Sequence, residues 1–156
     1  MTLLPGCALM PGLNLTKTIQ KGKRDTRLCQ CLRMHGIGID IIEIARIERA
    51  VARWGEGFLH RIYTELELKL YGDKPSSLAA RFAGKEAVIK ALGTRARGIG
   101  WREIEIVSDS SGKPLVHLYG KAQNQAQDLS PDSIAISLSH SREYAIAFVI
   151  SETRRD

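Results

Sequence analysis

The sequence predicts an α+β fold in which a largely antiparallel sheet packs against one long central helix. Three observations support this: several short apolar runs typical of strands, one long alanine-rich helical run, and connections between successive strands that are too short for a parallel crossover. The 156 residues suit one domain with an extension, and the 44% hydrophobic and 26% charged residues are typical of an ordinary globular protein.

The individual elements follow from apolar periodicity and from residues that begin or end helices. In chain order we predict a strand at 35–43, helices at 45–54, 58–63, 64–72 and 77–92, strands at 101–107 and 114–119, a helix at 120–129, and strands at 133–140 and 144–151. Gly55, Gly72 and Gly93 end three of the helices, and a capping box of Thr64 and Glu67 begins one of them. Short turns join 101–107 to 114–119 and 133–140 to 144–151, so each pair is expected to be antiparallel.

Residues 1–33 read as a basic extension that we expect to be disordered, and 34–156 as a single domain. The extension holds six of the 23 Lys and Arg residues and one of the 17 acidic residues, so the domain is nearly neutral although the chain carries +6. All 3 cysteines lie in the extension, which leaves the domain without a disulfide framework and suits a reducing compartment. Pro5, Pro11 and the lack of a basic start argue against an export signal or a membrane span, and a transit peptide or a flexible basic arm is the alternative.

Asp40 is the first candidate for chemistry, because it lies among isoleucines in a strand that is expected to be buried. An ionised carboxylate there needs a cation, and either a salt bridge or a metal ion would serve. On the long helix, Glu86 and Lys90 share a face with Ala79 and Ala83. We expect these small residues to let a bulky group approach the charges.

Asp40 and Glu86 together with Arg81, Lys85 and Lys90 predict a site for a phosphate-bearing substrate. Two carboxylates can hold Mg²⁺, which keeps several waters and shares phosphate oxygens, and the neighbouring cations suit further phosphate charge. The alternative for the helical residues is a surface ion-pair set, which such spacing commonly forms.

Two further features have both a structural and a functional interpretation. His140 is adjacent to Ser139 on a strand and faces the opposite side, so we interpret it as a donor to an anion or as a structural histidine, not as the partner of a nucleophile. Arg46, Arg49 and Arg53 share one helical face, which is either a solvated stripe, as spacing alone favours, or a docking face for an acidic partner.

Four segments resemble, in chain order, those of the holo-acyl-carrier-protein synthase family of 4′-phosphopantetheinyl transferases: GIGIDIIEIARI, RFAGKEAVIKALGT, GIGWREIEIVSDSSGKPLVHLYGKA and ISLSHSREYAIAFVI. The resemblance covers about 35–151. It implies the transferase fold and Mg²⁺-dependent transfer of 4′-phosphopantetheine from coenzyme A to a serine of apo acyl carrier protein, with release of adenosine 3′,5′-bisphosphate. It also implies a role in fatty acid biosynthesis in the cytoplasm.

The resemblance assigns roles to the candidate residues. It implies that Asp40 and Glu86 ligate Mg²⁺, that Arg81, Lys85, Lys90 and His140 bind coenzyme A, and that Glu86 and Lys90 take part in catalysis. The acceptor serine would lose its proton to Glu86 or to a metal-bound water, and the sequence leaves both open.

The expected partners also follow from the resemblance. It implies a homotrimer with active sites between protomers, and it changes our interpretation of Arg46, Arg49 and Arg53 to docking of an acidic acyl carrier protein. We expect no nucleic-acid partner and no membrane, although the cations of 17–33 would suit a nucleic-acid-binding module. The near-neutral domain and the 6% aromatic content argue against that alternative. An inactive scaffold that binds carrier protein is the third interpretation.

Two positions depart from the family pattern. Gly84 stands where Ala or another small residue is usual, and we expect it to loosen the helix beside Glu86. Arg95 stands where Gly is common, and we expect it to alter the loop that lines the pantetheine arm.

Overall fold

The computed structural model describes residues 35–93, 98–126 and 129–153, including all side chains of these ranges except those of 35, 129–133, 152 and 153. Its elements, in chain order, are β1 (His35–Glu43), α1 (Ile44–Ile62), α2 (Glu65–Tyr71), α3 (Pro75–Leu92), a 3₁₀ turn (Trp101–Glu103), β2 (Ile104–Ser108), β3 (Pro114–Leu118), α4 (Gly120–Gln125), β4 (Leu129–His140) and β5 (Tyr144–Thr153). The predicted extension at 1–33 and Arg95 lie outside the described residues.

All strand pairing in the described residues is antiparallel. One sheet has the order β1-β5-β4, and β2 and β3 form a separate hairpin. The register places Asp40 of β1 opposite Ala147 of β5, which in turn lies opposite Leu138 of β4. The predicted α+β fold with a largely antiparallel sheet against a long helix is therefore confirmed.

The three-stranded sheet packs against α3 through residues with little or no side chain. A methyl group on Gly36 would lie 2.0 Å from the carbonyl oxygen of Ala91, and one on Gly38 would lie 1.8 Å from that of Ala87. Ala145 and Ala147 of β5 are fully buried. Because successive residues of a strand alternate between faces, Gly36, Gly38 and Asp40 all face the helix, and the two glycines bring β1 close enough for Asp40 to reach it.

The opposite face of this sheet is apolar and exposed among the described residues. Ile37, Ile39 and Ile41 of β1 are 63%, 54% and 61% exposed, and Ile146 and Phe148 on β5 are 36% and 41% exposed. Ile39 lies opposite Phe148, and Ile41 lies opposite Ile146, so these side chains form one continuous surface. We call these five residues the outer sheet face.

Every predicted helix and strand has a counterpart in the structure, but several boundaries differ from the prediction. The two helices predicted on either side of Gly55 form the single element α1 with a break at that residue, whose φ of 57° and ψ of −141° are not helical. The long helix begins at Pro75 because proline suits the first helical position. The predicted helix at 120–129 is shorter, since Leu129 already pairs with Thr153 in the β4–β5 ladder.

The predicted strand at 101–107 begins only at Ile104. Its first three residues form the 3₁₀ turn, in which the Glu103 carboxylate accepts a hydrogen bond from the backbone N–H of Gly100 at 3.1 Å. The backbone N–H of Glu103 donates to the carbonyl oxygen of Gly100 at 3.0 Å. These local bonds compete with ladder pairing, as acidic side chains next to a turn commonly do.

Candidate active site

Asp40 and Lys90 form the centre of the candidate site. The Lys90 ammonium donates to the Asp40 carboxylate at 2.7 Å and to the backbone carbonyl of Ile39 at 2.9 Å. The side chain of Asp40 is 19% exposed and that of Lys90 is 50% exposed. The carboxylate among the isoleucines therefore has the cation that its position requires, and the ammonium is accessible from solvent.

Glu86 belongs to the same cluster, one helical turn before Lys90 on α3. Partial burial raises the pKa of the Glu86 carboxyl, the nearby negative charge of Asp40 raises it further, and the positive charge of Lys90 lowers it. The charges of Asp40 and Lys90 therefore both act on the Glu86 carboxyl. The structure thus brings Asp40, Glu86 and Lys90 together, as the sequence predicts.

The small residues beside these charges have a different use from the one expected. Ala79 and Ala83 are fully buried in the core, together with Ala87 on the same helix. They allow the protein's own sheet to approach α3, so the prediction that they leave room for an external bulky group is wrong. Solvent reaches the cluster at Lys90, whose side chain is half exposed.

Lys85 lies in the core and not beside Glu86. Its side chain is completely buried, and its ammonium donates to the Glu67 carboxylate at 2.7 Å, to the carbonyl of Trp101 at 3.0 Å and to the carbonyl of Ile104. An ammonium has three protons, so these bonds use its full donor capacity. Desolvation lowers the pKa of Lys85, while the charge and hydrogen bond of Glu67 raise it. This position corrects the expectation that Lys85 contacts coenzyme A.

Arg81 lies one turn before Lys85 and on the same side of α3, more than 100° around the helix from Glu86. Its guanidinium carbon is 3.2 Å from the centre of the Tyr71 ring, and one terminal nitrogen donates to the carbonyl of Ser77 at 3.2 Å. The residue is 6% exposed, and its buried Nε has no hydrogen-bond acceptor among the described residues. The structure therefore does not bring Arg81 into direct contact with the cluster.

His140 lies at the end of β4 and is exposed. It is opposite Ala145 of β5, which lies opposite Ile42 of β1, so His140 and Asp40 share the face of the sheet that packs on α3. They lie two strand spacings apart across the sheet and two residues apart along it, which corresponds to roughly 12 Å between their backbones. This distance is within the reach of one extended ligand.

Arg46, Arg49 and Arg53 are all exposed on α1, as the helical spacing predicts. Arg49 lies 3.7 Å from the Glu43 carboxylate, an exposed pair that contributes little to stability. The guanidinium of Arg53 lies 5.2 Å from the centre of the Trp54 ring. We call these three residues the arginine face.

Sequence reasoning missed the second role of Glu67. Beyond its place in the capping box, its carboxylate accepts hydrogen bonds from Lys85 and from the backbone N–H of Ile106 at 2.9 Å, and it is completely buried. A capping glutamate is usually solvated, and nothing in the local sequence distinguishes this one. Arg53 and Trp54, by contrast, are neighbours in the sequence, and a cation beside a large aromatic residue is a visible indication of the contact that the structure shows between them.

The donor set of the cluster suits a hard divalent cation bound mainly by water and substrate. Within the ranges that the structure describes, no three His, Cys, Asp or Glu side chains are grouped so as to enclose a metal ion. Asp40 and Glu86 offer two carboxylates, which is the number that Mg²⁺ commonly takes from protein beside phosphates and waters.

Among the described residues, no helix is long and apolar enough to cross a membrane.

Comparison with known proteins gives consistent matches. A family model described as the 4′-phosphopantetheinyl transferase superfamily matches residues 36–149. A holo-[acyl-carrier-protein] synthase of Herpetosiphon aurantiacus is 50% identical over 120 residues, which cover 72% of this chain and 94% of that protein. One of Dehalococcoides mccartyi is 53% identical over 115 residues, which cover 74% of this chain and 96% of that protein.

The fold also matches solved structures of holo-[acyl-carrier-protein] synthases. The crystal structure of the Helicobacter pylori holo-[acyl-carrier-protein] synthase in complex with coenzyme A has a TM-score of 0.65 and 37% identity, covering 75% of this chain and 99% of that chain. The structure of the Neisseria meningitidis enzyme has a TM-score of 0.66 and 38% identity, covering 76% of this chain and 98% of that chain.

Proposed function

The chain belongs to the 4′-phosphopantetheinyl transferase superfamily, and we propose that it transfers 4′-phosphopantetheine from coenzyme A to a serine of an apo acyl carrier protein. The family membership expected from the four sequence segments is confirmed. The observation that carries the proposed reaction is the cluster of Asp40, Glu86 and Lys90, which combines two carboxylates with an accessible ammonium. That combination suits chemistry at a pyrophosphate.

The proposal includes Mg²⁺ held by Asp40 and Glu86. Partial burial raises the pKa of Glu86, and the negative charge of Asp40 raises it further; a divalent cation would offset this second effect. When bound, Mg²⁺ would neutralise charge on the pyrophosphate oxygens of coenzyme A.

Lys90 and Glu86 have separate proposed roles. Among the described residues, Lys90 uses two of its three N–H groups, on Asp40 and on the carbonyl of Ile39, and we propose that the third donates to a phosphate oxygen. Glu86 is a candidate acceptor for the proton of the attacking serine hydroxyl, because its carboxylate belongs to the same cluster as Lys90 and is only partly buried. A water molecule in the site is the alternative acceptor.

For coenzyme A we propose contacts with Lys90, His140 and Arg81. The buried Nε of Arg81, which has no acceptor among the described residues, is a polar atom that a phosphate oxygen would satisfy. For Lys85 we propose a structural role, since its ammonium joins α2, the 3₁₀ turn and β2 through the three bonds described above.

We also propose that the protein is a homotrimer with active sites between protomers. The outer sheet face supports self-association, because monomeric proteins rarely leave a continuous patch of five large apolar side chains in water. Phe148→Asp should reduce the mass measured by analytical ultracentrifugation to that of a monomer. Leu66→Asp, on α2 and equally exposed at 44%, is the matched control and should leave the mass unchanged. A monomeric wild-type protein would contradict the assembly.

The reaction itself is tested by incubating apo acyl carrier protein with this protein, coenzyme A and Mg²⁺ and weighing the carrier by mass spectrometry. We expect the mass of one phosphopantetheine to be added, and we expect Asp40→Asn and Glu86→Gln to abolish the addition while circular dichroism stays unchanged. A folded wild-type protein that binds the carrier without modifying it would instead support the scaffold interpretation.

The proposal extends to a role in fatty acid biosynthesis in the cytoplasm, which the family resemblance implies. Depletion of the protein in its own cells should then lower the holo fraction of the fatty-acid carrier protein, as measured by the gel mobility of the carrier.

A further inference from the structure

Trp54 on α1 is a large aromatic side chain that remains 58% exposed. Exposed apolar residues of β1 and β5 belong to the outer sheet face, whereas Trp54 lies among charged residues on a helix. Its ring is 5.2 Å from the guanidinium carbon of Arg53 and 6.2 Å, centroid to centroid, from the ring of Phe58. An indole in this setting combines a large apolar area with few rotatable bonds.

The break in α1 fixes the position of this pair. Gly55 has a positive φ of 57°, a conformation that glycine adopts without strain, so the helix stops after Trp54 and resumes before Phe58. Phe58 is partly buried against the hydrophobic core. The exposed Trp54 therefore lies next to an aromatic ring that packs against the core.

Trp54 lies at the border between the arginine face and the core. At 100° per residue, Trp54 is about 80° around the helix from Arg46, on the side toward the buried Ile47. Arg49 and Arg53 lie on the other side of Arg46. A partner that covers the arginine face and approaches the body of the protein would consequently cover the indole as well.

We propose that Trp54, supported by Phe58, is an apolar anchor for the acyl carrier protein and determines its affinity. The inference rests on the proposed function, which supplies an acidic partner. The arginine face would bind carboxylates of the partner, and the adjacent indole would contact an exposed apolar side chain that lies among those carboxylates. Trp and Arg are the residues most enriched among those that dominate binding energy at protein interfaces.

The first test measures the steady-state transfer kinetics of Trp54→Ala. Truncation of a central anchor commonly costs tenfold or more in affinity, so we expect the KM for apo carrier to rise by about tenfold while kcat and the KM for coenzyme A stay unchanged. Trp54→Phe should recover most of the loss. Leu66→Ala, the truncation of another exposed apolar side chain on α2, should leave all three constants unchanged. An unchanged KM for carrier in Trp54→Ala would overturn the proposal.

Arg53 requires its own control, because the indole also lies beside that guanidinium. Trp54→Ala is therefore repeated in an Arg53→Ala background. We expect the KM for carrier to rise further. No further rise would show that Trp54 acts only by orienting Arg53, and the anchor would be refuted.

A direct signal comes from fluorescence, since the chain has 2 tryptophans. Trp101 stacks on Phe82 at 5.0 Å and is partly buried, so Trp101→Phe leaves Trp54 as the single reporter. Saturating apo carrier without coenzyme A should shift its emission to shorter wavelength, and no shift would overturn the proposal. If Trp101→Phe does not fold, the carrier-induced shift is compared between the wild type and Trp54→Phe and should be lost in the latter.

Two controls separate this inference from the proposed function. If the wild-type protein adds no phosphopantetheine to the carrier, the proposed function fails. If transfer occurs and Trp54→Ala behaves as wild type, the anchor alone fails. The mass of Trp54→Ala in solution should equal that of the wild type, because a changed mass would place Trp54 in an interface between copies of this chain and overturn the proposal.

Discussion

Gly38→Ala should disrupt the packing that positions Asp40. The added methyl carbon would lie 1.8 Å from the carbonyl oxygen of Ala87, whereas a carbon–oxygen contact requires roughly 3.3 Å, so β1 and α3 must separate by about 1.5 Å. The obstacle is helix backbone, which cannot rotate away as the end of a side chain can. Such overpacking typically costs about 1–3 kcal/mol and occasionally more, against a gain of at most about 1 kcal/mol from the stiffer unfolded chain. Because the clash is with backbone, we take the cost at the upper end of that range and expect a net loss of about 2–3 kcal/mol in the free energy of unfolding.

The same displacement would lengthen the 2.7 Å contact between Lys90 and Asp40, so transfer activity should fall in the protein that remains folded. Urea denaturation followed by circular dichroism measures the stability, and mass spectrometry of the carrier measures the activity. Gly57→Ala is the matched control. A methyl group there meets no atom within 4 Å, and Gly57 lies in α1, so this variant should be stabilised by about 0.5–1 kcal/mol.

Equal stability of Gly38→Ala and wild type would refute the argument that the glycine is needed for close approach of the strand and the helix. Wild-type activity in a destabilised Gly38→Ala would show instead that the cluster does not depend on the spacing between β1 and α3.

Three further predictions concern buried or partly buried polar groups. Lys85→Met leaves the buried Glu67 carboxylate without its cation and should cost about 3–5 kcal/mol in urea denaturation; a loss below about 1 kcal/mol would contradict the buried pair. Burial and the charge of Asp40 raise the pKa of Glu86 in the folded protein, so the stability from this group is present below the ordinary value of 4.5 and is lost as the pH rises through the raised pKa. Without Mg²⁺, wild type should accordingly lose thermal stability relative to Glu86→Gln as the pH rises above 4.5, and parallel melting curves would refute the raised pKa of Glu86. Tyr63→Phe removes a hydroxyl that donates to a buried helix carbonyl at 3.0 Å, and it should lower the free energy of unfolding by about 1–3 kcal/mol, whereas an unchanged value would show that the carbonyl finds another donor.

The fold could be predicted from local patterns wherever one residue type dominates the local energetics. The capping box of Thr64 and Glu67 marks the start of α2, and Gly55 marks the break in α1 because its positive φ suits no other residue as well. The turn at Trp101–Glu103 was not predicted, since its alternating pattern is that of a strand and the competing bond from Gly100 depends on three-dimensional geometry.

The sequence predicted that Asp40, Glu86 and Lys90 lie close together, but it did not predict which groups surround each charged residue. Helical periodicity separates Lys85 from Glu86 by 100°, but it does not say which side of α3 meets the sheet and which meets α2. That depends on the close approach of Gly36 and Gly38, which determines that Lys90 meets Asp40 while Lys85 enters the core with Glu67.

The expectation for Gly84 also changes once its neighbours are known. A methyl group there would lie 2.6 Å from the terminal carbon of the Ile106 side chain, so the residue makes room for β2. Because the Ile106 side chain fills the space that a methyl group would need, glycine fits here although it costs about 1 kcal/mol relative to alanine inside a helix.

The alternation of side chains along β1 makes the length of this strand as important as its composition. Its even-numbered residues from Gly36 to Ile42 face α3, and its odd-numbered residues from Ile37 to Ile41 belong to the outer sheet face. Insertion or deletion of one residue ahead of Asp40 would exchange the two sets, so the carboxylate would enter the apolar surface and an isoleucine would be forced against the backbone of Ala87. The strand should therefore tolerate exchange of one aliphatic residue for another on its outer side, but no change in the number of residues between its glycines and Asp40.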